Sequence, residues 1–310
     1  MSSSATAKES KAASAIRAAW QDDPDVARRY AIAERATRPF AAMMVQLARE
    51  LAPPSLTHKE GDSVDVFDLG CGTGAVEAEV YGALGSGSGT DGVRILAGDV
   101  SAPMLSYLSA RAADEGWAGV DVQTVDGTRL ADAPALQGRA FDAVYVGFAI
   151  FMLPPAAPAQ LAALLKPRGS LAVSSWAILP WFPLLAEAYA RMHDGPPPPV
   201  QRDVWSAVTN GLPWHDKAFV RETLQQAGLE QVTVRQEKVS VDVGDADTVM
   251  GSMGFVLGIL SQQWPEEKRE AWLADAKRAF REVVVESERG EGEGMEWVFE
   301  GIVGVGVKPE

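Results

Sequence analysis

Apolar positions along this chain fall into two rhythms that take turns. Short runs in which nearly every residue, or every second one, is apolar stand at Val64–Leu69, Val93–Asp99, 120–125, 141–147 and 170–176, with the lengths and spacings of β-strands. The run at 141–147, Phe-Asp-Ala-Val-Tyr-Val-Gly, is the least interrupted, as expected of a central parallel strand covered on both faces. Between these runs, 75–84, 101–113 and 160–165 read as helices, and Ser101 with Pro103 marks a helix start. Upstream, helical periodicity begins near Ala15, passes Trp20 and resumes over 26–51, where Ile32, Ala36, Phe40, Met44 and Leu47 share a face. Pro39 predicts a kink or a split in that helix, and Pro53-Pro54 ends it. Strand and helix in alternation predict an α/β fold with a doubly wound parallel sheet.

Beyond Trp176 the alternation stops. The stretch 179–199 is rich in Trp and Pro and ends in four prolines, so it is expected to lie outside the core. A helix follows at 219–227, ended by Gly228, then an alternating strand at 231–243, a helical stretch at 245–286 and a closing strand at 295–308. The Gly/Ser/Thr/Asp run at 85–92 reads as a flexible linker loop. Residues 1–14 read as a frayed, disordered N-terminus without the apolar core of a signal sequence, and no internal repeat is evident.

The first strand leads into Val66-Phe67-Asp68-Leu69-Gly70-Cys71-Gly72-Thr73-Gly74 and then a helix. Glycines at alternate positions let the backbone turn sharply and let a ligand lie almost against it. The free N–H groups of the helix face whatever sits over the loop. This is the layout of a nucleotide-type cofactor site at the carboxyl end of a parallel strand. The spacing G-x-G-x-G departs from the G-x-G-x-x-G of dinucleotide sites, whose third glycine packs the helix beneath a pyrophosphate.

Composition narrows the partners. The formal net charge of −14 excludes a nucleic-acid substrate, whose phosphates would be repelled. A small molecule is expected instead. One cysteine, Cys71, permits no internal disulfide, and three scattered histidines offer no metal-ligand spacing, so no metal is expected. Cys71 inside the loop reads as a small residue that fits rather than as a nucleophile. No run reaches the roughly eighteen apolar residues that span a bilayer. A cytoplasmic protein is expected, and a homodimer is compatible with it.

With the elements in this order, the chain resembles the class I S-adenosylmethionine-dependent methyltransferases over 60–176 and again over 219–308. Within them it is similar to the small-molecule group that includes the ubiquinone- and menaquinone-biosynthesis enzymes. The resemblance implies a Rossmann-like seven-stranded sheet whose last strand, 296–308, is antiparallel. It also implies an N-terminal helical lid at 15–55, a cofactor core at 60–176, a variable acceptor-pocket segment at 177–218, and the rest of the core at 219–310 with a helical substrate-cap insert at 245–286. The implied cofactor is S-adenosylmethionine. Asp68, Gly70, Cys71, Gly72 and Gly74 match the first motif; Asp99, followed by Val100, matches the acid that accepts hydrogen bonds from both ribose hydroxyls. Ser101, Met104 and Leu105 match D-x-S-x-x-M-L, where the Met packs on adenine, and Asp126 with Gly127 matches the acid that takes the adenine amino group. Gly147 and Phe148 fall at the fourth-strand exit, the floor for cofactor and substrate, and Tyr30 with Trp20 falls in the lid. Arg168 stands where the family's Lys-Pro-Gly-Gly turn has glycine.

Methyl transfer from a sulfonium needs alignment and dryness more than acid–base help. Where the acceptor is a hydroxyl, His215 and His193, each beside an Asp, are the candidate general bases. Tyr30, Phe148, Phe151 and Trp176 are candidates for cation–π contact with the sulfonium. Trp176, Trp181, Phe182, Trp205, Trp214, Met250, Met253 and Phe255 predict an apolar, aromatic acceptor pocket. Two other readings stay open. One is a methyltransferase fold that binds cofactor as a scaffold or regulatory partner without transfer. The other is a protein methyltransferase, weakened by the absence of an Asn/Asp-Pro-Pro-Tyr motif after the fourth strand.

Overall fold

The computed structural model describes residues 25–52, 63–84, 92–209, 211–287 and 294–310. The expectations for 1–14, for the helix start before residue 25 with Trp20, and for the linker at 85–91 lie outside these residues. The described elements are α1 (Val26–Leu51), β1 (Val64–Leu69), α2 (Ala75–Leu84), β2 (Val93–Asp99), α3 (Ala102–Asp114), β3 (Val120–Thr124), β4 (Phe141–Val146), α4 (Ala157–Ala163), β5 (Leu165–Ile178), α5 (Phe182–Ala190), α6 (Gln201–Val208), α7 (Lys217–Gln226), β6 (Glu230–Gly244), α8 (Ala246–Ser261), α9 (Glu266–Glu286) and β7 (Met295–Val307).

The strands form one seven-stranded sheet in the order β3-β2-β1-β4-β5-β7-β6. β1 to β5 pair in parallel, and β7 enters antiparallel between β5 and β6. Apolar strands joined by helical crossovers can return beside one another only in parallel, whereas β6 and β7 are free to pair as an antiparallel couple. The expected Rossmann-like sheet with an antiparallel last strand is therefore the observed one. Its order reverses between β1 and β4, so the crevice at their carboxyl ends is where a ligand fits.

Three expectations are corrected. Pro39 does not split α1, which runs unbroken from Val26–Leu51. Phe40, Met44, Leu47 and Ala48 are all buried just beyond it, and that packing outweighs the hydrogen bond a proline lacks. The turn expected at Lys166–Gly169 lies inside β5, where the pairing with β4 shifts between Phe141 and Ala143. Arg168 takes the left-handed φ of 65° there, its N–H donating to the Lys308 carbonyl at 3.0 Å. Finally, the stretch 179–199 is not outside the core. α5 starts with Pro183 in its first turn, where proline is tolerated, and buries Leu185, Ala188 and Tyr189.

Those residues join a second apolar cluster with Val204 and Trp205 of α6, Met253 and Leu257 of α8, and Phe280 of α9. The main cluster fills the sheet and its flanking helices. Trp176 packs against both, at the carboxyl end of β5.

Candidate active site

The loop after β1 is held by Gly70, whose N–H donates to the Gly98 carbonyl at 2.7 Å. Gly70 and Gly74 have φ of +74° and +95°, where a side chain is strained. Space forbids one as well: a Cβ on Gly70 meets Ala149 Cβ at 2.8 Å, and one on Gly74 meets Leu108 Cδ1 at 2.5 Å. Gly74→Ala should accordingly lower stability by about 2–4 kcal/mol, from left-handed strain plus overpacking against a buried leucine. The check is a fall in the urea midpoint at unchanged m. Over Gly72 lies the ring of Tyr30 from α1, with Cε1 3.5 Å from where a Cβ would be.

The acids implied at the strand ends sit around this loop. Asp99 accepts from the Gly72 N–H at 3.1 Å through one oxygen and from the Ser101 N–H at 2.9 Å through the other. Burial pushes its carboxyl up, and the N–H groups of Ser101, Gly72 and Val100 oppose that. Asp126 caps the short turn after β3, accepting from the Thr128 N–H at 2.9 Å and the Thr128 hydroxyl at 2.7 Å. Next to it, Gly127 leaves no room for a side chain, since a Cβ meets Leu153 Cδ2 at 2.8 Å. Met104 is buried against Val26 and Ala27, with Tyr30 alongside, so α3 and the start of α1 share a small apolar contact.

At the exit of β4, Gly147 is followed by Phe148 with φ of 51°, an unusual conformation for a bulky residue. The Phe148 N–H donates to the Ser174 hydroxyl at 3.0 Å. Its ring stacks on Trp176 with centroids 3.8 Å apart and meets Phe40 edge-on at 5.4 Å. The strained turn thus wedges an aromatic ring between α1 and β5.

Two groups of residues escaped the sequence reading. Glu34 of α1, buried, takes the Thr73 hydroxyl at 2.6 Å, and Arg111 of α3 donates to both Glu34 oxygens at 3.0 and 2.8 Å. Arg111 also donates to the Thr73 carbonyl at 2.8 Å and lies over the Trp117 ring at 5.2 Å. This network pins α1 to the glycine loop. In the second, Asp68, already read as a loop residue, gains a neighbour that was not, Glu77 of α2: Asp68 Oδ1 and both Glu77 oxygens are buried with no hydrogen-bond partner among the described residues. No local pattern announces either group, because the partners come from separate elements.

Two cavities meet here. A small one of about 30 Å³ is lined by Tyr30, Asp68, Gly70, Cys71, Gly72 and Phe148, among others. A larger one of about 310 Å³ is walled by Phe151, Trp176, Trp181, Trp205, Trp297 and Phe299, with α1 and α8 closing it. Tyr30, Thr37 and Phe148 line both. Burial pushes the Tyr30 hydroxyl up to about 12, so it stays neutral near pH 7.

The remaining candidates fall elsewhere. His215 is exposed and stacks on Trp205 with centroids 5.6 Å apart, while the cavity wall there is Trp205 itself. His193 is exposed too, and its backbone N–H donates to Asp275 at 3.3 Å. Neither histidine lines the large cavity. Trp176, Trp181, Trp205 and Met253 do, whereas Phe182 and Met250 pack into the second cluster. Trp214 is a correction: it is buried in the main core against Phe219, at 5.3 Å, because its segment tucks under the sheet through a Ser175 hydroxyl bond to its carbonyl at 2.5 Å. The side chain of Phe255 lies outside the described residues. Among the described residues no cluster of metal ligands occurs, and no helix is long and apolar enough to cross a membrane.

The residues fit an adenosyl amino-acid cofactor. A buried, unpartnered Asp68 oxygen faces a cavity large enough for an ammonium group, and Asp99 offers two oxygens above a loop cleared of side chains. A methyltransferase-domain family model matches residues 66–169. Methyltransferase ktnA of Aspergillus niger is 27% identical over 259 residues, covering 79% of this chain and 84% of that protein. Acetylaranotin bis-thiomethyltransferase of Aspergillus terreus is 24% identical over 241 residues, covering 77% and 79%. Nocamycin O-methyltransferase of Saccharothrix syringae is 28% identical over 205 residues, covering 61% and 67%.

Proposed function

We propose that this chain is a class I S-adenosylmethionine-dependent methyltransferase that binds its cofactor over the Gly70–Gly74 loop and methylates a hydrophobic secondary metabolite in the 310 Å³ cavity. The observation that carries this reading is the shared wall: Tyr30, Thr37 and Phe148 line both the cavity at the loop and the aromatic one, so the two ligands would meet there. S-adenosylmethionine, when bound, supplies an electrophilic methyl group on a cationic sulfur.

The chain's own residues do the rest. Asp99 would hold the ribose hydroxyls and Asp68 the ammonium, both as acceptors. Phe148, Phe151 and Trp176 offer ring faces to a cation and keep water away from the reacting atoms. Tyr30, neutral, orients rather than deprotonates. The relatives' names put the methyl group on sulfur in one case and on oxygen in another, which supports an acceptor of this general kind in this chain.

The test is incubation with S-adenosylmethionine and a panel of aromatic hydroxy and thiol compounds, read as a product heavier by one methylene unit. Cofactor binding with no product from any hydrophobic acceptor would favour the scaffold reading instead. Once an acceptor is found, Trp297→Ala should raise its KM by about tenfold, the worth of one aromatic wall, and leave the cofactor Kd unchanged.

A further inference from the structure

We propose that Asp68 and Glu77 share a proton in the cofactor-free protein, and that seating the cofactor's ammonium against Asp68 expels it, so that binding is proton-linked and Glu77 is the residue that sets the linkage. This rests on the cofactor reading above and concerns the Glu77 carboxyl, which that reading leaves unexplained.

Asp68 is the penultimate residue of β1 and Glu77 the third of α2; they are 1% and 0% exposed. A Cβ on Gly74 would lie 3.6 Å from Glu77 Oε2, so the Glu77 carboxyl stands directly behind the loop. Ionised carboxylates are acceptors only, and three oxygens here have no donor among the described residues. A proton on one carboxyl turns the pair into donor and acceptor, and the two are close enough for that bond.

The surroundings favour holding the proton. Facing the pair are Asp99 from β2, Glu34 and Tyr30 from α1, Tyr145 from β4 and the Cys71 thiol from the loop. The cation that acts on Glu77, Arg111, is already committed to Glu34. Burial, then the charges of Glu77 and Asp99, pushes Asp68 well above the usual carboxylate range, and burial pushes Glu77 up to about 7. Two such carboxyls ionise together only when a cation joins them. The void that Asp68 lines opens toward the glycine loop, where the cofactor's amino-acid end would supply that cation. A site that releases a proton on binding gains affinity as pH rises, by up to about tenfold per unit below the pair's own range.

The experiment is calorimetric titration of the protein with S-adenosylhomocysteine at about pH 6.5, below the range of an α-amino group, in buffers of low and high ionisation enthalpy. The expected slope is release of at least half a proton, absent with 5′-methylthioadenosine, which lacks the ammonium. Glu77→Gln should cut the release sharply while the nucleoside still binds. Tight binding of S-adenosylhomocysteine with no buffer dependence overturns the proposal, and so does undiminished release in Glu77→Gln. Failure of both nucleosides to bind sinks the cofactor reading itself. Independently of any ligand, infrared difference spectra at neutral pH should show the carbonyl stretch of a protonated carboxyl in the free protein, lost in Glu77→Gln. Its absence from the native protein refutes the shared proton.

Discussion

Alanine at position 99 should weaken S-adenosylhomocysteine binding by about a hundredfold or more. Two hydrogen bonds from ribose hydroxyls to a charged acceptor contribute roughly 1.5–3 kcal/mol each, and alanine accepts neither. The loss has a second source. Asp99 already fixes the loop by accepting the N–H groups of Gly72 and Ser101, one on each oxygen. Alanine leaves both donors without their partner, so thermal stability should fall by about 1–3 kcal/mol as well. Asp99→Asn separates the two effects, because an amide keeps the shape and one acceptor. It should retain most of the stability while losing much of the affinity. Calorimetric titration gives the first quantity and thermal unfolding the second. Unchanged affinity in the alanine variant would remove Asp99 from the cofactor site.

Glu34→Ala should cost about 3 kcal/mol of stability and loosen α1 from the loop. Removing one partner of a buried ion pair leaves the other charge uncompensated, typically at about 3–5 kcal/mol. The lower end applies because the Arg111 side chain keeps 17% of its exposure and one carbonyl partner at Thr73. The Thr73 hydroxyl loses its acceptor in the same variant. Tyr30 lies just over one turn before Glu34 on α1, so its ring over Gly72 depends on this anchor. Limited proteolysis should then cut within 26–51 sooner, and cofactor affinity should fall together with stability. Glu34→Gln, which keeps an acceptor for Thr73, should show roughly half the loss. A variant with unchanged proteolysis would mean that packing alone seats α1.

Much of the architecture is legible in the sequence. Strand and helix periods differ, so β1 to β5 and the helices between them stood out as local patterns. The glycine loop was readable for the same reason. A positive φ and a missing Cβ are properties of single residues, and three of them in alternate positions leave few conformations. The limits of local reading show at Pro39, at α5 and at Trp214. In each case a nearby signal, a proline or a run of aromatics, was overruled by packing against residues distant in the sequence.

What the sequence by itself determined, then, is the alternation that builds the parallel strands and the backbone shape of the loop after β1, each following from the order of residues a few positions apart. The antiparallel last strand was implied only by the family resemblance. What only the tertiary structure decided is which polar groups are stranded and which are paired. Glu34, Thr73 and Arg111 come from three elements, as do Asp68, Glu77 and Tyr145. Their energies depend on burial and on the neighbours that burial imposes. A carboxyl in water and a carboxyl at 0% exposure are the same letter with different chemistry.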